Sequence, residues 1–300
     1  MTKKYFNFKN QAIALAAITI LSFGCGSEEA VDTELEVVEE KDPNQNQLLA
    51  VDGKVFSIPS PIQTALLIKG VGVNYNKDML NEPSKVTNYS TKFKKAINLG
   101  VYGADLGYVT LYNNTQDAIS FLTAIKSIGD DLGVSEAFDV ELVERFERNI
   151  DNQDSLLILI SDAYKSSDRY LKSNEQNDLG GLILAGGWIE SLYFTTNAAS
   201  MSANQEVINR VAEQKTTLSN LVKILSPNYN NPEFAGLIDS LKELEAIYKE
   251  IENVYTYVKP SVDAANKTTT IKSTTKINIS EEQLKAITEK VMQIRIQIIS

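Results

Sequence analysis

Leu99 to Tyr112 reads L-G-V-Y-G-A-D-L-G-Y-V-T-L-Y, and the placement of its glycines decides how the chain folds. The run lies inside a candidate helix, Tyr89 to Asn113. Each glycine in a helix interior costs up to about 1 kcal/mol relative to alanine. Gly100, Gly103 and Gly107 nonetheless lie on roughly one face, and a bare face is useful where another backbone approaches closely. A second apolar run bears glycines too: Gly180-Gly181-Leu182-Ile183-Leu184-Ala185-Gly186-Gly187-Trp188. The two runs are natural partners, and we expect their helices to touch. Both hold acids and are flanked by polar sequence, so the small-residue packing of lipid-embedded helices is the wrong analogy.

Each glycine-bearing run carries one carboxylate among apolar residues. Asp105 has Tyr102, Tyr108 and Tyr112 around it at helical spacing. Glu190 stands beside Gly186, Gly187 and Trp188. A carboxylate on an apolar face must be paired or hydrogen-bonded, or its pKa rises. Two readings follow. In one, Asp105 and Glu190 anchor a pocket floor walled by Tyr102, Tyr108 and Trp188; carboxylate pairs of this kind hydrolyse glycosides. In the other, tyrosine hydroxyls satisfy a structural network. Spacing along the chain does not bring the two carboxylates together.

Outward from this pair, the pattern is helix after helix. Ser60-Pro61-Ile62-Gln63 has the Ser cap, first-position Pro and Gln of a helix start. That helix carries Leu66, Leu67 and Ile68 and stops near Gly70, with a loop from Val71 to Glu82. Further helices are expected at 115–132, ended by Gly133, then at 135–150, 154–173, 178–199 and 204–225. Pro227 and Pro232 bracket a turn. Pro232 then opens a helix to Val258, its stripe being Leu237, Leu241, Leu244, Tyr248, Ile251, Tyr255 and Val258. A last helix starts at Ser280, with Gln283 completing a capping box, and carries Leu284, Ile287, Val291, Ile294 and Ile298. Strand signals are few. Asp52-Gly53 between apolar residues marks a short hairpin within 48–58. Lys267 to Ile279 is rich in strand formers and reads as a strand beside that hairpin, or as a loop. The fold class is mainly α: a bundle or array of about eight or nine helices with at most a small β element. No repeat of fixed period is present.

Composition narrows the chemistry. The chain contains no histidine and one cysteine, Cys25. Ser-His-Asp and Cys-His catalysis, His/Cys zinc sites and haem ligation by His or Cys are excluded. No cofactor is implied. Asp151-Asn152-Gln153-Asp154-Ser155 lacks the glycine and glutamate of a calcium loop and reads as a junction with a helix cap. Asp162, Lys165, Asp168 and Arg169 read as a solvated helix face. The glycines at 180–187 do not precede GK[ST], so no phosphate loop is present. The formal charge is −10, which argues against nucleic-acid binding.

The amino-terminal stretch speaks to location. Lys3, Lys4 and Lys9 precede A-I-A-L-A-A-I-T-I-L-S-F-G-C, Ala12 to Cys25. A basic start, a short apolar run and small residues at the end make a secretory signal. The uncharged run is too short for the roughly 20 residues of a spanning helix. The Gly24-Cys25 ending resembles the lipobox of bacterial lipoproteins, departing from the family pattern at Ser22, with Leu21 one place early, and at Phe23. The resemblance covers about the first 25 residues. It implies that residues 1–24 are removed and that the Cys25 thiol is acylated to become the first mature residue. Loss of three lysines would take the charge from −10 to −13. Residues 25–47 carry eight acids and almost no apolar mass, as an extended, self-repelling tether does. Gly26 after the cysteine, rather than Asp, implies the outer membrane in this family, and the acids that follow resemble surface-export tags. Residues 48–300 form the folded α-helical domain. The expected protein is a lipid-anchored envelope component, at the cell surface or the periplasmic face. It binds an unknown envelope protein or small ligand. A carboxylate-dependent enzyme acting on glycans and a purely structural component are the alternatives.

Overall fold

The computed structural model describes residues 47–51, 54–58, 61–134, 144–146, 148–149, 152–174, 176–263 and 268–300. The expected leader, Cys25, the expected tether up to residue 46 and most of the expected 135–150 helix lie outside the described residues. Two short strands, β1 (Gln47–Val51) and β2 (Lys54–Ile58), pair antiparallel with Val51 opposite Lys54. They bracket Asp52-Gly53, where the hairpin signal falls. Helices follow: α1 (Pro61–Gly70), α2 (Lys92–Leu111), α3 (Thr115–Leu132), α4 (Gln153–Ser173), α5 (Asn177–Ser202), α6 (Gln205–Ala212), α7 (Lys215–Leu225) and α8 (Pro232–Lys249). Strands β3 (Glu252–Thr256), β4 (Ser261–Asp263), β5 (Thr268–Thr270) and β6 (Thr274–Asn278) lead to the last helix, α9 (Glu281–Ile299). The protein is a mainly α array with a few short strands.

Local chemistry sets the boundaries. The Thr91 side chain accepts from the Lys94 N–H to start α2, and Asn114 does the same for α3. Gly133 closes α3 at φ 72°, in the left-handed region that glycine enters without strain. Asn231 caps α8 with Pro232 at its first position. Ser280 and Gln283 form the reciprocal capping box that opens α9. The expected 204–225 helix is two helices, parted at Glu213 and Gln214.

α5 is apolar nearly all round its circumference, as a helix enclosed by others is. It packs against α1, α2, α4, α6, α7 and α9. Its tightest partner is α2, the contact expected from the glycines. A Cβ added at Gly100 would lie 1.9 Å from the Ile183 carbonyl oxygen, and one at Gly186 would lie 1.9 Å from that of Ile97. These two glycines let the backbones meet. Gly107 faces no atom within 4 Å, so it takes no part in the approach. The loop from Val71 to Glu82 is core material, since Met79, Leu80 and Asn81 are buried.

Two expectations about β structure are corrected. The helix opening at Pro232 stops at Lys249 rather than running to Val258. The residues after it, N-V-Y-T-Y-V, are β-branched and aromatic and find a strand partner. The 274–278 stretch is a strand, but it pairs with β3, Tyr255 opposite Thr275, and not with the 48–58 hairpin. β4 and β5 pair between them, Val262 opposite Thr269. The Ser273 hydroxyl accepts from the Val258 N–H and donates to the Val258 carbonyl, splicing the two ladders. The described residues of the 252–278 segment thus make one interrupted ribbon.

Candidate functional site

The α2–α5 contact positions its two carboxylates together in the core. Asp105 and Glu190 are both fully buried. The cation that completes the cluster is Arg295 of α9, itself 7% exposed. Arg295 Nε donates to Glu190 Oε2 at 2.6 Å and Nη2 donates to Glu190 Oε1 at 2.7 Å, a bidentate pair. Nη2 also donates to the Met79 carbonyl at 2.7 Å. The guanidinium lies 4.2 Å over the Tyr193 ring, a cation–π contact.

Asp105 completes the arrangement as an acid. Its Oδ2 accepts the Asn81 N–H at 3.3 Å, while Oδ1 receives no donor. Burial, and then the charge of Glu190, push the Asp105 carboxyl well above the usual carboxylate range. A neutral Asp105 instead donates toward Glu190, so one proton serves two carboxyls. Burial raises Glu190 as well, and the Arg295 charge and hydrogen bonds pull it back. Burial thus favours the acid form of Asp105 beside the Glu190–Arg295 ion pair, the arrangement that leaves the core without net charge.

A polar network extends from it. The Asn81 amide donates to the Tyr89 hydroxyl at 2.9 Å and to Asn98 Oδ1 at 3.4 Å. Asn98 Nδ2 donates to the carbonyls of Lys94 and Ile298. The 81–89 segment, α2 and α9 are thereby joined.

The tyrosines and tryptophan do not wall a pocket around these acids. The Tyr102 hydroxyl donates to the Glu82 carbonyl at 3.0 Å. The Tyr108 hydroxyl accepts the Asn76 N–H at 3.1 Å, and its ring stacks on Phe194 with centroids 4.8 Å apart. Trp188 points to the α6–α7 junction and donates to Gln214 Oε1 at 3.0 Å. Of the five residues expected to form a pocket, Asp105 and Glu190 are fully buried, and Tyr102, Tyr108 and Trp188 engage the Glu82 carbonyl, the Asn76 N–H and the Gln214 side chain. The helix contact itself encloses them: Gly100 and Gly186 let the α2 and α5 backbones meet, and both carboxyls lie in the interior of that packing.

Depressions open elsewhere on the described surface. One, of about 850 Å³, lies at the base of the ribbon among Gln205, Glu213, Glu252, Asn278 and Gln283. Another, of about 350 Å³, lies between Phe93, Gly236 and Gln297. Neither is lined by Asp105, Glu190 or Arg295. Among the described residues no His, Cys, Asp and Glu group is arranged to hold a metal ion. Among them, too, no helix is long and apolar enough to cross a membrane.

Arg295 was not among the residues singled out from sequence. A signal existed: it stands four residues after Val291 and three before Ile298, on the side of α9 that carries the apolar stripe. The chain matches no family model, no curated protein and no solved structure.

Proposed function

We propose that this chain is an acylated lipoprotein of the bacterial envelope, anchored at the outer membrane through Cys25. Its α-helical domain is a binding or interaction module, not a hydrolase. One observation carries the reading: the sole cysteine of 300 residues stands where a basic, apolar, small-residue leader ends. A lone cysteine in an exported chain makes no internal disulfide, and acylation gives it a role. Each buried CH₂ contributes about 0.8 kcal/mol, so two or more acyl chains hold where one releases. The acidic residues of 26–47 suit a spacer between bilayer and domain. The sealing of Asp105 and Glu190 favours the module over carboxylate catalysis.

The test is mass spectrometry of the mature amino-terminal peptide after membrane fractionation. Acyl chains on Cys25 in the outer-membrane fraction are expected, with loss of processing and attachment in Cys25→Ser. The same processed, membrane-attached product from the serine variant would overturn the proposal.

A further inference from the structure

Exposed large apolar side chains are concentrated on one element. Among the described residues, Val254, Tyr255, Tyr257, Val258, Val262 and Ile271 all belong to the 252–278 ribbon, while Ile119, Met201, Met292 and Ile296 lie on three helices and Tyr229 in a turn. Tyr255 is 62% exposed, Tyr257 67%, Val262 72% and Ile271 71%. Isolated exposed apolar residues need no explanation, but a set gathered on one short element marks a contact surface. The ribbon's charge is opposite to that of the chain. The 252–278 sequence carries Lys259, Lys267, Lys272 and Lys276 against Glu252 and Asp263, a net positive balance in a chain of net charge −10. Lys259 and Lys272 are exposed. The ribbon is also ordered by its own pairing, through the β3–β6 and β4–β5 ladders and the Ser273 splice. Every residue of β5 is exposed, so the outer ladder leans on no helix through that strand.

We propose that this ribbon rests on an anionic lipid surface. Tyrosine favours the membrane–water interface, where an apolar ring meets a wet hydroxyl. Val262 and Ile271 supply aliphatic surface beside it, and the lysines supply attraction to headgroup phosphates. The acidic remainder of the chain is repelled by the same surface, so only the ribbon approaches. A second copy of the ribbon would set lysine against lysine. The inference deepens the lipoprotein reading, which places a bilayer within reach, but the contact itself needs no acyl chain.

The experiment therefore uses the chain carrying Cys25→Ser, purified without lipid. It is sedimented with vesicles of phosphatidylcholine alone and of phosphatidylcholine mixed with phosphatidylglycerol. Binding to the anionic vesicles only is expected, weakening as salt screens it. Each lysine near such a surface contributes about fivefold, so Lys259→Glu with Lys272→Glu should weaken binding at least about 25-fold. Tyr257→Ser with Ile271→Ser should weaken it independently of salt. Circular dichroism and thermal midpoints should stay unchanged, because these side chains are exposed. No preference for anionic vesicles, undiminished binding by either double variant, or ribbon-dependent self-association without lipid would each overturn the proposal. A failure of acylation at native Cys25 appears in the peptide mass and leaves the vesicle result untouched.

Discussion

Gly100→Ala and Gly107→Ala place the same methyl group on the same helix and should act in opposite directions. At Gly100 the new carbon would sit 1.9 Å from the Ile183 oxygen and 2.8 Å from the Gly187 nitrogen. Ordinary contact begins near 3.4 Å, so α2 and α5 must part locally by about 1.5 Å. The obstructing atoms are backbone and have no rotamer to escape into. Overpacking costs about 1–3 kcal/mol where side chains absorb it, and this site belongs at or above the upper end. The helix-propensity gain of up to about 1 kcal/mol offsets part, leaving a loss of about 2–3 kcal/mol. At Gly107 nothing lies within 4 Å, so the propensity gain stands alone at up to about 1 kcal/mol. For a domain of this size that is a fall of roughly 5–10 °C in Tm for Gly100→Ala and a rise of a few degrees for Gly107→Ala. Urea unfolding followed by far-ultraviolet circular dichroism and by the fluorescence of buried Trp188 measures both. Gly100→Ala with Gly186→Ala should cost less than the two singles together, since one separation relieves both clashes. Equal stabilities for Gly100→Ala and the parent, or equal losses for Gly100→Ala and Gly107→Ala, would refute the reasoning.

The remaining predictions concern the ionic layer. Arg295→Met strands the Glu190 carboxylate in the core and should cost about 3–5 kcal/mol, whereas Arg295→Met with Glu190→Leu should recover most of it; chemical denaturation decides. Asp105 keeps its proton when folded and loses it when unfolded above the ordinary value of 3.8. Because the folded pKa is raised, this group contributes most stability below that value and loses it progressively as pH climbs toward the folded pKa. Asp105→Asn imitates the neutral acid and should remove that dependence, so its stability relative to the parent should grow as pH rises from about 4 toward neutrality. A difference that shrinks with rising pH would mean that Asp105 is ionised in the core.

Most of the helical plan was legible because caps and apolar stripes are local. Thr115 to Leu132 with its closing Gly133, and the Ser280–Gln283 box, need only neighbours in sequence to be read. The α2–α5 contact was legible for a different reason: three glycines in one helix require an external cause. The end of α8 was not, because Ile251, Tyr255 and Val258 satisfy helical spacing, and only the distant β6 strand turns that segment into a ribbon. The charged pair was half legible. Asp105 and Glu190 announce themselves as misplaced polarity, but their partner lies 105 residues beyond Glu190. Nothing local tells an acid that it will meet a guanidinium. Nor does any local signal say that Tyr102 and Trp188 spend their polar tips on Glu82 and Gln214.

That distance has a bearing on how the molecule comes to be. Arg295 joins residue 190 and residue 79 in one neutral knot, and the Ile298 carbonyl receives Asn98 beside it. Until α9 has emerged, the earlier helices carry an acid whose cation does not yet exist, and dry closure of the interior is unfavourable. α9 thus acts as a latch across the 71–82 loop, α2 and α5. Its docking and the dry closure of the interior are one event, because neither leaves a paired charge without the other.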